Sequence, residues 1–201
     1  MRRASATAVA LGALAAAPAA AQAPQGPAAA KDRSGDVRGA LDIVRVAMER
    51  GEDGRLRGEI TMADDWTTAD LRAPGPPARP GPPGSICLAL HTAREPGSAP
   101  PDFLVCATPP PTGDELVGRV MRDRANGRPR TLTGAVATRP TARTVYLRFS
   151  QSSIGMPASL RFSAEAVTRA ARCPRPLGCR DIAPDAPQAT GLTLRSGALP
   201  G

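Results

Sequence analysis

Residues 44–62, Val-Arg-Val-Ala-Met-Glu-Arg-Gly-Glu-Asp-Gly-Arg-Leu-Arg-Gly-Glu-Ile-Thr-Met, decide the fold. Val44, Val46 and Met48 alternate with Arg45, Ala47 and Glu49, and Leu56, Gly58, Ile60 and Met62 alternate with Arg57, Glu59 and Thr61. A period of two places one set of side chains on each face of a strand, so both runs read as half-buried β-strands. Between them lies Glu52-Asp53-Gly54, and glycine accepts the positive φ that a tight hairpin turn demands. The stretch is an antiparallel hairpin.

The same pattern recurs outward from it. Ile86, Leu88 and Leu90 share one face of a strand and Phe103 and Val105 one face of its partner, with Cys87 and Cys106 on the opposite faces. Leu116 to Met121 and Gly134 to Thr138 are further strands, and Val145, Leu147 and Phe149 alternate clearly with Thr144, Tyr146 and Arg148. Leu160 to Ala171 fits a strand through Leu160, Phe162 and Ala164 and a helix through Leu160, Ala164, Val167 and Ala171; a strand followed by irregular chain is the expectation. Ser150 to Pro157 suits a short helical turn, and Leu192 and Leu194 a last short strand. Pro74 to Gly84 holds six prolines and three glycines, which fit a surface loop and no central strand or helix. Eight or nine short strands in succession predict an all-β, antiparallel β-sandwich, with residues 32–195 as one domain and 196–201 as a tail.

Upstream, Arg2 and Arg3 precede an apolar run from Ala4 to Ala17, then Pro18 and three alanines. This order of basic, apolar and small residues reads as a secretory signal peptide, residues 1–21, cleaved after Ala21. The run is too short and too broken for a membrane anchor. Residues 22–31 have little to bury and read as a flexible lead-in. A secreted, extracytoplasmic location follows, and cysteine usage agrees with it. Cys87, Cys106, Cys173 and Cys179 allow three pairings. Each of the pairs 87/106 and 173/179 is joined by a segment that turns back, so local bridges are expected. Zinc is the competing use, but neither pair has C-x-x-C spacing and His91 is the only histidine.

The formal charge is +8, of which Arg2 and Arg3 supply two, and Lys31 is the only lysine. The arginines are scattered, with no basic run and almost no aromatic residues between them for base stacking, so a nucleic-acid partner is not expected. Acidic polymers remain suitable partners for such a surface.

Few residues suggest chemistry. Trp66 and Tyr146, the only tryptophan and tyrosine, are the candidate ligand-binding rings, since a flat indole or phenol face complements a sugar ring. The competing use of Trp66 is to pack beneath the proline-rich loop. Asp32, Asp36 and Asp42, joined by Asp181 and Asp185, are the candidate calcium ligands: calcium takes several oxygens, and Gly35 lets Asp32 and Asp36 converge. Their competing use is to cap turns by bonding to backbone N–H groups. His91 reads as a strand-end residue, because no G-x-S-x-G elbow or nearby serine supplies a nucleophile. Met48, Met62, Met121 and Met156 read as packing residues before metal ligands. No catalytic residues are assigned.

Asp32-Arg33-Ser34-Gly35-Asp36, then Leu41-Asp42-Ile43 opening the first strand, a Trp near the end of the second, and Asp181 to Asp185 before the final strand together resemble the DOMON-like sandwiches related to family 9 carbohydrate-binding modules. The likeness spans most of residues 32–195. It implies an immunoglobulin-like β-sandwich, in some members with structural calcium, and members that bind sugars or redox cofactors. Sugar-binding members use exposed aromatic platforms and haem-binding members axial Met or His, and this chain has little of either. The leading reading is a secreted, non-catalytic binding module for envelope or extracellular polysaccharide, with calcium as its one candidate cofactor. The alternative is a structural or accessory envelope protein with a protein partner, and the third an exported hydrolase.

Overall fold

Alternation, turn chemistry and one register slip explain most of the architecture. The computed structural model describes residues 27–36, 39–51, 53–72, 84–93, 96, 100–123, 128–168, 179–185 and 189–194. These form eleven strands: β1 Ala28–Lys31, β2 Ile43–Arg50, β3 Arg55–Met62, β4 Ser85–His91, β5 Phe103–Thr108, β6 Val117–Arg122, β7 Arg130–Thr138, β8 Thr144–Ser150, β9 Ser159–Thr168, β10 Cys179–Ala183 and β11 Thr190–Thr193. Short 3-10 turns occupy Thr68–Leu71 and Gln151–Ile154. Every pairing is antiparallel, in the order β1-β2-β3-β8-β7-β6-β5-β4-β9-β10, with β11 also on β9. The two ends of this path come together, β1 beside β11 and β2 beside β10, so the sheet nearly closes on itself.

The β2–β3 hairpin forms as expected, with Gly54 at φ 72° in its turn. Its inward face differs at one end. The register slips between Ile43 and Arg45, so Ile43 joins Val46 and Met48 in the core while Val44, expected there, is only partly buried. A bulge that adds one residue turns the following side chains to the other face, which simple alternation does not anticipate.

The other expected strands place their apolar sets inward: Leu56, Ile60 and Met62; Ile86, Leu88 and Leu90; Val145, Leu147 and Phe149; Leu160, Phe162 and Ala164. β9 settles the ambiguous 160s as a strand. Residues 28–31, read as the end of a flexible lead-in, are instead β1, in register with Arg45 to Met48. β10 is the other strand beyond the expected eight or nine. Among the methionines, Met48 and Met62 are core residues, Met121 is half-buried beside a second bulge, and Met156 is exposed.

One feature fits the facing walls together and another ties neighbouring strands. Gly58 faces inward, where a Cβ would fall 2.1 Å from Leu88 Cδ1 on the facing wall, so its missing side chain is the socket for Leu88. Cys87 and Cys106, directly opposed on β4 and β5, form a disulfide with Cα atoms 4.0 Å apart. Cys173 lies outside the described residues, and with it the second expected bridge.

Two stability outcomes follow. Cys106→Ser is expected to lower the free energy of unfolding by about 3 kcal/mol, as befits a loop of this length, measured by urea titration of oxidised parent and variant. Gly58→Ala is expected to cost about 1–3 kcal/mol by overpacking, and the loss should shrink when Leu88→Ala is added. Strictly additive losses would show that the two residues do not meet.

Candidate functional site

The five aspartates named from the sequence converge at the seam where the sheet closes. Asp32 follows β1, Asp36 lies in the turn that Gly35 opens at φ 88°, and Asp42 immediately precedes β2. Asp181 projects from β10, and Asp185 follows that strand. Two overlapping triads result, Asp32-Asp36-Asp185 and Asp36-Asp42-Asp181, each with carboxylate oxygens within 4.8 Å of one another. Asp42 and Asp181 are buried, Asp32 is half-buried, and Asp36 and Asp185 are exposed. The cluster therefore has a closed floor and an open mouth.

The floor is held by backbone donors. Asp181 Oδ2 accepts the Ile43 N–H at 2.5 Å, joining positions 138 residues apart. Asp42 Oδ2 accepts the Gly35 N–H at 2.7 Å and the Ser34 hydroxyl at 3.2 Å. Turn capping, the competing use for these residues, is thus present at Asp42, but it does not satisfy the cluster. Asp42 Oδ1 and Asp32 Oδ2 are buried and have no hydrogen-bond donor. Among the described residues no arginine or lysine is ion-paired with any of the five.

Burial without a counter-charge shifts the acids. Asp181 is raised to about 6, chiefly by burial, against the pull of the Ile43 N–H and with added repulsion from Asp36 and Asp32. Burial also raises Asp42, against the Gly35 and Ser34 donors and with Asp36 adding to the rise. Asp32 is raised by burial, opposed by the Arg33 N–H and reinforced by Asp185 and Asp36. Such a cluster has two ways to relieve itself: it takes up protons, or it takes up a cation. Two oxygens that share a calcium ion at about 2.3–2.6 Å lie at most about 5 Å apart, which matches the spacing of both triads.

The candidate rings fare differently. Trp66 is buried in the core, with the Arg139 guanidinium 5.2 Å from its ring centre and hydrogen-bonded to its carbonyl oxygen. It offers no open face to a sugar, a correction to its candidacy, and it belongs to the hydrophobic core. Residues 73–83, most of the loop beneath which it was expected to pack, lie outside the described residues. Tyr146 is half-buried on the outer face of β8, with Arg57 over its ring at 5.1 Å. Around it Arg45 pairs with Glu59 at 2.6 Å, Arg57 with Glu49 at 2.5 Å and Arg148 with Asp53 at 3.6 Å. His91 ends β4 as expected, and Ser85 stands at the strand's opposite end.

A second concavity escaped the sequence reading. His91, Thr92, Ala93, Ser159, Arg161, Gly191 and Thr193, with Leu160 and Leu192, line a cleft of about 420 Å³. Its residues come from three strands and the turn after β4, and their adjacency depends on register, which composition and spacing do not reveal.

Among the described residues no helix is long and apolar enough to cross a membrane. Comparisons with known protein families, with characterised proteins and with solved structures find no match to this chain.

The raised acids fix the sign of the pH response in the absence of cations. A carboxyl whose pKa is higher folded than unfolded binds its proton more tightly in the folded state, so its stabilising effect is full at low pH and is lost as pH rises. In chelator, stability is expected to fall between about pH 4 and 6, by about 3 kcal/mol from Asp181 alone. Asp181→Asn keeps an acceptor for Ile43 and removes the charge. It should raise the melting temperature at pH 7 and flatten the profile, and a profile unchanged by this variant would show that Asp181 is not the titrating group.

Proposed function

We propose that the protein is a secreted, non-catalytic binding module, an immunoglobulin-like sandwich of the DOMON-like type, clamped by calcium at its seam and directed at envelope or extracellular polysaccharide. The observation that carries the calcium clamp is the buried oxygen of Asp42 that no donor reaches, set among carboxylates at calcium spacing and open to solvent through Asp36 and Asp185. Asp36 belongs to both triads and is the shared ligand, while Asp42 and Asp181 close the inner side. An ion held there ties the turn before β2 to β10. The disulfide supports the extracytoplasmic assignment, because such bridges persist in oxidising compartments. The outer face of β2, β3 and β8 supports the polysaccharide reading: Tyr146 lies within a lattice of arginines and carboxylates that offers many donors and acceptors to sugar hydroxyls.

Scanning calorimetry with chelator, calcium or magnesium tests the clamp. Calcium should raise the melting temperature progressively with its excess over the dissociation constant, and magnesium much less, since it holds oxygens at about 2.0–2.1 Å in a stricter octahedron. Asp36→Ala should abolish the response. A melting temperature indifferent to calcium in the parent leaves the aspartates as turn caps and buried acids.

A glycan array tests the ligand class, with binding expected to fall on Tyr146→Ala. The second reading, a protein partner without a small ligand, draws on the exposed Leu132 and Val136 of β7. An array without a binder, together with specific capture of an envelope protein, favours it. Turnover in a hydrolase screen that is lost on His91→Ala would overturn the non-catalytic assignment.

A further inference from the structure

The cleft beside His91 is built by register. Arg161 on β9 sits directly opposite His91 of β4 on one side and Gly191 of β11 on the other, while Ser159 is paired with Thr193 in the neighbouring row. Side chains directly opposite across antiparallel strands, and those two apart along one strand, share a face. A guanidinium and two hydroxyls are therefore gathered on one outward surface, and the buried His91 lines the cleft beside them. Gly191 leaves the flank of Arg161 open, since nothing lies within 4 Å of where its Cβ would be. At the lip, the Asp102 carboxylate accepts the Thr92 and Ala93 N–H groups, both at 2.9 Å, and fixes that turn. Among the described lining residues none is acidic.

We propose that this cleft binds an oxyanion carried on a polyol, a carboxylated or phosphorylated sugar unit. The volume of about 420 Å³ falls in the ordinary range for small-molecule sites. Arginine carries five donors in a planar fork that matches carboxylate and phosphate oxygens, so it can serve a ligand alongside a contact within the protein. Ser159 and Thr193 present hydroxyls that both donate and accept, as sugar hydroxyls require, while the Thr92 hydroxyl donates to Asp102 at 3.4 Å and keeps its acceptor capacity. The site is separate from the Tyr146 face and from the acidic seam, and it goes beyond the function proposed above.

Isothermal titration calorimetry on the full chain at low salt, with D-glucuronate, D-glucose 6-phosphate and D-glucose, tests it. Both anions should give saturable heats and the neutral sugar should bind at least about tenfold more weakly. The tighter of the two anions tells carboxylate from phosphate. Arg161→Gln should weaken anion binding at least about tenfold, as should Gly191→Leu, which fills the cleft without changing charge. Both positions are exposed, and melting curves of the variants confirm the fold. Tyr146→Ala should leave this binding intact, so a failed glycan array and a failed cleft are told apart. Absence of saturable heat with either anion, equal binding of D-glucose, or parent-like affinity in Arg161→Gln would overturn the proposal.

Discussion

One hydrogen bond spans the seam where this sheet closes: the Asp181 carboxylate accepts the Ile43 N–H. Ile43 begins β2, Asp181 lies in β10, and their strands stand at the two ends of the sheet's path. The bond satisfies a backbone donor of β2 that lies beyond the residues paired with β1, at the cost of burying a carboxylate. Repulsion from Asp36 and Asp32 makes that burial worse. The closure therefore brings like charges together, and protons or a cation are what such a junction needs from solution.

Elsewhere the two faces of the sheet have different work. The inner face is almost wholly apolar and is fitted wall to wall, with Leu88 seated on Gly58. The outer face carries the arginines, paired across strands with Glu49, Glu59, Glu165 and Asp53. These exposed pairs contribute little to stability. Their effect is to present a polar, hydrogen-bonding surface with few free apolar patches, and to keep the core strands in one register, because a slip by one residue would bury the charges.

Strand positions were legible wherever alternation ran unbroken, as in Val145 to Phe149 and Leu56 to Met62. The 160s became a strand because β4 and β10 flank them, and partners of that kind lie outside any local window. β1 was hidden because Ala28, Ala29 and Ala30 carry no alternation, and only the exposed edge of β2 gives them a place. The bulge at Val44 was hidden because the residues around it are apolar in either phase. The acidic cluster was visible as residue types, since Asp32, Asp36 and Asp42 crowd one turn and Asp181 and Asp185 stand close together before the final strand. That all five would meet was a matter of topology. The cleft at Arg161 left no trace in sequence, because the residues of its rows are ordinary ones brought together by pairing alone.

The seam also sets an order of events. Most pairings in the sheet join neighbouring strands and can form as soon as a hairpin is complete, whereas Ile43 waits for Asp181, and closing so long a loop is entropically the hardest step. A chain that emerges from its N-terminal end presents β2 long before β10. Until β10 arrives, the outer edge of β2 is covered only by β1, and the acidic residues of the first turn remain in water, fully charged and well hydrated. The acidic cluster therefore does not exist before β10 is in place, and the crowding of its charges is deferred until nearly the whole sheet has formed.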